Sequence, residues 1–255
     1  METVFDGLRF CDDSLSGLTV ILIVLLYVFI HMEGPMEQLV RRFTLSSNAY
    51  ISRDCVGYYR DLYLRYREPG NPDFLNTLKN TLNNYCPSVL KSARQEVYDR
   101  VRRDIPDIMK AEGLEEAVVA VVPRSKAFMS PNQLGFRDAV QECVKILQAN
   151  GYSGITDGIG CITRHTDTKT THIHKFLPGF DNCGSEPYVG ITNDTCHIDT
   201  NAVRGKTIIL IDDIYTKTVN VDEDCIQALY DAGAARVVFY AVAYTNRRSS
   251  YRKGA

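Results

Sequence analysis

Apolar positions fall into two regimes along the chain of 255 residues. Between residues 36 and 112 they recur at helical spacing. Tyr58, Leu62 and Tyr66 lie four apart, as do Phe74, Leu78 and Leu82, and Val97, Val101, Ile105 and Ile108 form a further stripe. This pattern predicts a helical region, with Gly113 as a C-cap. At residue 117 the period changes. AVVAVVP (117–123) is a continuous apolar run closed by proline, which suits a strand buried on both faces. DAVQECVKIL (138–147) predicts a helix with Val140, Val144 and Leu147 on one side. GIGCITR (158–164), TIILI (207–211) and RVVFYAVAYT (236–245) predict three more strands, and VDEDCIQALYDAG (221–233) a helix with acids in its first turn. Residues 165–200, rich in Thr, Asp, Asn, Gly and His, read as a long loop or irregular arm. Strands alternating with helices predict an α/β fold, a parallel sheet with crossover helices, preceded by a helical N-terminal region.

Four segments follow from this reading. Residues 1–35 form a hydrophobic N-terminal segment, 36–112 a helical cap, 113–246 the sheet domain and 247–255 a basic tail. The run LSGLTVILIVLLYVFI (15–30) carries no charge. It stands at the short edge of a membrane span. Its acidic start (Glu2, Asp6, Asp12 and Asp13 against Arg9) does not suit a cleavable signal. A membrane anchor, a buried helix and an upstream extension with the functional start at Met32 or Met36 all stay open. As an anchor, with Arg41 and Arg42 behind it, it would place the rest of the chain at the inner face of the membrane.

Composition is that of an ordinary globular protein, 45% hydrophobic and 24% charged, and the formal net charge of −2 excludes a polycation. The charge is uneven: the tail carries Arg247, Arg248, Arg252 and Lys253 without an acid, and a tail of this kind is either a frayed end or a phosphate contact. Eight cysteines without a CxxC pair predict reduced thiols in a cytoplasmic protein. His172, His174, Cys183, Cys196 and His197 fit no compact zinc-ligand spacing.

The chemistry concentrates in KTIILIDDIYTKT (206–218). Two adjacent carboxylates, Asp212 and Asp213, stand where an apolar strand ends, and like charges there do not serve stability. In open parallel sheets ligands bind beyond the carboxyl ends of strands. The loop that follows leads into a helix, whose first N–H groups form an anion site. A ribose 5-phosphate would satisfy both halves, with its hydroxyls on the aspartates and its phosphate on the loop.

This arrangement resembles the phosphoribosyl-diphosphate signature of type I phosphoribosyltransferases: IILI, the pair Asp212-Asp213, Ile214-Tyr215, then Thr216-Lys217-Thr218. Upstream, AVVAVVPRSKAFMSPNQLGFRDAVQECVKIL resembles the strand, diphosphate loop and first helix of the family's competence-type branch, including Asn132-Gln133. The resemblance covers about residues 115–245. It implies that Asp212 and Asp213 act at the ribose hydroxyls and the metal. It implies that Thr216, Lys217, Thr218 and Asn220 surround the 5-phosphate, and that Pro123, Arg124, Ser125 and Lys126 form the diphosphate loop. Arg164 to Thr171 would be a mobile lid, with Arg164 closing on the leaving group. Mg²⁺ would be held largely by diphosphate and water. The implied ligand is phosphoribosyl diphosphate or a nucleotide, with transfer or cleavage at the anomeric carbon. The sequence departs from the family where a glycine gives way to Thr218 and a threonine to Asn220, which favours an alternative reading as a sugar-phosphate sensor without turnover. Family resemblance also allows a homodimer, and extends to effectors of bacterial anti-phage cassettes of the retron type, partnered by a reverse transcriptase and its RNA–DNA hybrid.

Overall fold

The computed structural model describes residues 40–171, 173 and 178–246. The apolar run 15–30 and the basic tail 247–255 lie outside them. Among the described residues no helix is long and apolar enough to cross a membrane.

A six-stranded sheet organises the chain. Its strands are β1 (Arg41–Leu45), β2 (Cys55–Tyr63), β3 (Ala117–Val121), β4 (Ile155–Asp157), β7 (Thr207–Tyr215) and β8 (Arg236–Thr245), in the order β1-β2-β8-β7-β3-β4. All neighbours are parallel except β1, which runs antiparallel to β2 at the edge. A separate antiparallel ribbon joins β5 (Ile162–Arg164) to β6 (Cys196–Ile198). The helices are α1 (Asp73–Lys79), α2 (Pro87–Ala111), α3 (Gly135–Ala149), α4 (Ile191–Thr195), α5 (Thr200–Val203) and α6 (Val221–Asp231).

The continuous apolar runs fill both faces of the sheet, as their lack of alternation predicts. Val119, Val121, Ile209, Ile211 and Val238 meet α2 and α3, whose Val97, Val101, Ile105, Val140 and Val144 are buried against them. Val118, Ala120, Ile208, Leu210 and Phe239 face the other way, onto Cys225, Ile226 and Leu229 of α6. Each such aliphatic side chain contributes about 1.5–3 kcal/mol on burial. Helix α2 ends as the sequence predicts. Gly113 takes a left-handed φ of 62°, and the Leu114 N–H reaches back to the Met109 carbonyl at 2.8 Å.

Two predicted elements are corrected. The helical reading of 36–112 holds for α1 and α2, but residues 41–45 and 55–63 are strands of the same sheet. A spacing of four fits a helix, yet it is also two full periods of a strand, so Tyr58 and Leu62 share a face either way. The strand predicted for GIGCITR shortens: the sheet strand β4 ends just before it, at Asp157, and only Ile162–Arg164 is extended, pairing with β6 away from the sheet. Gly158 packs against β3, where an added Cβ would stand 2.3 Å from a Val118 methyl, and its N–H donates to the Val119 carbonyl at 2.9 Å. The described residues of the arm 165–200 are irregular, apart from a bridge between Thr168 and Ser185, until α4, β6 and α5 close it.

Beneath the sheet's middle a buried polar cluster ties three elements together. Arg60 of β2 donates through Nε to both Asp104 carboxylate oxygens at 2.8 Å, and the Tyr240 hydroxyl of β8 donates to Asp104 Oδ2 at 2.6 Å. Asp104 is fully buried on α2, so its charge is sustained only by these partners.

Candidate functional site

From β3 the chain crosses through α3 to β4 on one side. From β7 it crosses through α6 to β8 on the other. The strand order therefore reverses between β3 and β7, and the crevice beyond their carboxyl ends is where open α/β sheets place ligands. Residues 123–126 leave β3 at this point and Asp212-Asp213 lie on β7. Val121 pairs with Ile211, and the Val122 N–H donates to the Ile211 carbonyl at 2.9 Å. Two segments far apart in sequence are thus adjacent at the switch point.

The acidic pair has cationic partners. Lys79 Nζ, at the last residue of α1, lies 3.4 Å from Asp213 Oδ2. The Arg124 guanidinium is half-buried and donates to the Gln133 carbonyl at 2.8 Å and, more weakly, to the Leu78 carbonyl at 3.4 Å. Burial pulls its pKa down, while Asp213 and Asp212 pull it back up. Burial, then repulsion from Asp213, pushes the Asp212 carboxyl up to about 7. Asp212 stands against Asp222 in the first turn of α6. Asp222 is buried, its Oδ1 has no partner, and burial together with Asp212 raises it well above the usual carboxylate range. Two buried carboxyls that raise each other avoid repulsion when one of them keeps a proton.

Helix α6 begins with three buried acids. Glu223 accepts from the Tyr215 hydroxyl at 2.7 Å, and Asp224 accepts from the Gly190 and Thr192 N–H groups at 2.5 and 2.8 Å. Carboxylates in a first turn offset the positive end of a helix, and Glu223 and Asp224 stand there, so the loop before it offers an anion less than a bare N-terminus would. In that loop the left-handed residue is Asn220, with φ 58°, whereas Thr218 is not among the positive-φ residues. The β-branch at Thr218 therefore meets no backbone conflict, and asparagine tolerates the left-handed turn better than most side chains.

A cavity of about 260 Å³ beyond the strand ends is lined by Lys79, Arg124, Lys126, Arg164, Asp212 and Asp213, with Phe128 and Phe136 on its apolar side. A neighbouring one of about 130 Å³ shares Arg124, Arg164 and both aspartates and adds Ser125 and Thr170. Thr170 and Thr171 also line a wider space of about 1080 Å³ that reaches Thr218 and Asn220. Six of the predicted residues thus converge directly, and two more lie around the corner. Thr216 is tied to Thr245 through their hydroxyls at 2.7 Å, and Lys217 is exposed; neither lines these cavities.

Arg164 reaches the site in a bracing position. Its Nε donates to the Arg124 carbonyl and its Nη1 to Thr195 Oγ1 at 2.6 Å. Lys126 donates to the Thr168 carbonyl at 3.1 Å and the Cys183 carbonyl at 2.6 Å. Sequence reasoning missed Lys79, Asp167 and Asp222. Lys79 carries only the weak signal of a lysine ending a helix, and the other two none.

Among the described residues no group of three or more His, Cys, Asp or Glu side chains could hold a metal by itself. The pair Asp212-Asp213 fits Mg²⁺ only where a ligand supplies further oxygens, as this ion's preference for water and phosphate allows. No family model matches the sequence, and a search of curated proteins finds no significant relative.

Proposed function

We propose that the crevice binds a ribose 5-phosphate bearing a diphosphate, or a nucleotide, in the manner of a type I phosphoribosyltransferase. The single observation that carries this reading is the meeting of the 123–126 loop and Asp212-Asp213 at the switch point of the sheet. Asp213, held beside Lys79, accepts from ribose hydroxyls. Arg124, supported by Gln133, faces the diphosphate across the aspartates, and the 216–220 loop lies toward the 5-phosphate. Bound Mg²⁺ would neutralise diphosphate oxygens and polarise the leaving group. The protein's share is to fix the sugar between Asp212-Asp213 and Arg124 and to hold positive charge where the diphosphate departs.

Calorimetry with ribose 5-phosphate and with phosphoribosyl diphosphate plus Mg²⁺ is the direct test. Binding is expected in wild type and is weakened in Asp213→Asn. Equal affinity of the two proteins sinks the assignment. Pyrophosphate release, screened across nucleobases, then reads turnover.

A second reading, a binding module without turnover, draws on the engagement of Arg164 and Lys126 by protein carbonyls. Charges held this way do not respond to a leaving group. No pyrophosphate release with any acceptor, alongside intact binding, selects it.

A further inference from the structure

The loop after β3 already holds an anion, and it belongs to the protein. Asp167, on the arm that follows β5, accepts from the Ala127 N–H through Oδ1 at 2.8 Å. Its Oδ2 lies 3.9 Å from Lys126 Nζ. A carboxylate between a backbone N–H and an ammonium takes the place a phosphate oxygen takes in such loops. The neighbouring contacts fix it there. The Thr168 N–H donates to the Ser125 carbonyl at 2.8 Å, and the Ser125 and Thr170 hydroxyls meet at 2.7 Å. The arm's returning segment adds the Cys183 carbonyl on Lys126 and a β-bridge from Ser185 to Thr168. Gly184 makes this closeness achievable. It has a φ of 108°, and a Cβ there would stand 2.5 Å from the Asp167 carbonyl oxygen and 2.8 Å from Thr168 Cα.

We propose that Asp167 is a built-in competitor for the diphosphate subsite: the arm docks its carboxylate on Ala127 N–H and Lys126, and a diphosphate binds only as that carboxylate leaves. The inference rests on the reading of residues 123–126 as a diphosphate loop. It makes the arm an autoinhibitory latch, and apparent diphosphate affinity equals intrinsic affinity scaled by the undocked fraction.

Two variants of the full chain test it by different routes. Asp167→Ala removes the competing carboxylate. Gly184→Ala keeps it and unseats the arm by steric pressure on the Asp167–Thr168 backbone. Calorimetry with inorganic pyrophosphate is expected to show binding tightened by about tenfold in both, with ribose 5-phosphate affinity changed less than about twofold. Thermal melts establish that each variant is folded, and Asp167→Asn replaces Asp167→Ala where that protein does not fold. Unchanged or weaker pyrophosphate binding in either variant, or no pyrophosphate binding by any protein, overturns the latch. Ribose 5-phosphate reads the sugar site separately. Its failure to bind, together with tightened pyrophosphate binding in the variants, refutes the ribosyl reading and leaves the latch in place.

Discussion

The two loops that face each other across the switch point are held very differently. The loop after β3 is bonded almost group by group: Arg124 to Gln133, Ser125 to Thr170, Lys126 to Thr168 and Cys183, Ala127 to Asp167. The loop after β7 is tied mostly to itself and to the ends of neighbouring elements: Thr216 to Thr245, the Val219 N–H to the Thr216 carbonyl at 2.9 Å, the Asp224 N–H to the Asn220 carbonyl at 3.1 Å, and a long contact of 3.4 Å between Asn48 and Asn220. On the proposed reading, ligand entry at the first loop has to displace bonds made to the arm, such as that from the Ala127 N–H to Asp167. On that reading the first half of the crevice binds against a competitor, and the second half binds without one from the arm.

The largest effect that bears on this contrast is a control beneath it. Asp104→Ala removes the carboxylate between Arg60 and Tyr240 and leaves the Arg60 charge in a buried setting. A loss of about 3–5 kcal/mol is expected in urea unfolding, and it should reduce ribose 5-phosphate and pyrophosphate binding in parallel. Selective loss of one ligand would mean that the two loops do not share this support.

Next, Asp213→Asn separates the halves by chemistry. Loss of a charged acceptor for sugar hydroxyls is expected to weaken ribose 5-phosphate about ten- to a hundredfold, while pyrophosphate affinity does not fall. A parallel drop of both would erase the distinction.

Asn220 sharpens the description of the lighter loop. Asn220→Ala is expected to cost about 1 kcal/mol in stability, because alanine is disfavoured in the left-handed region, whereas Asn220→Gly is tolerated. Thr218→Gly brings no tightening of ribose 5-phosphate in the same titration. A gain there would show that the side chain at 218 obstructs the phosphate after all.

The smallest effect is a slope. The folded state raises both carboxyls, Asp212 to about 7, and so favours their protonated forms relative to the unfolded chain. Their contribution to stability is complete below the ordinary carboxylate pKa near 4 and is lost as pH rises toward and past 7. Thermal melts between pH 4 and 8 should show that decline, and Asp222→Asn, which removes one of the two raised carboxyls, should flatten it. An unchanged slope in the variant places the titration elsewhere.

What was legible in the sequence follows from which interactions are local. Strands β3, β7 and β8 announce themselves because burial on both faces demands unbroken apolar runs. Strand β2 does not, because it buries Arg60, which is sustained by Asp104 from a helix 44 residues away. The acidic pair and the 123–126 loop were recognisable because backbone turns constrain residue types at fixed offsets. Lys79 beside Asp213 and Asp167 beside Lys126 are side-chain meetings across long separations, and those impose no spacing. At Thr218 the backbone is not left-handed and at Asn220 it is, which the residue types at these two positions do not announce.

The pairing of β2 with β8 also sets a timetable. Cys55 of β2 and Val237 of β8, whose thiol and carbonyl meet at 3.3 Å, are 182 residues apart. At ribosomal speeds of about 5–20 residues per second, roughly ten to forty seconds pass between the emergence of the two. During that interval the β1–β2 hairpin exists without its parallel neighbour, and β7, made later, also awaits β8 on its outer side. The sheet is completed from the end of the chain inward, so a ribosome-bound fragment stopped before residue 236 leaves two apolar strand edges open and is a natural client for chaperones.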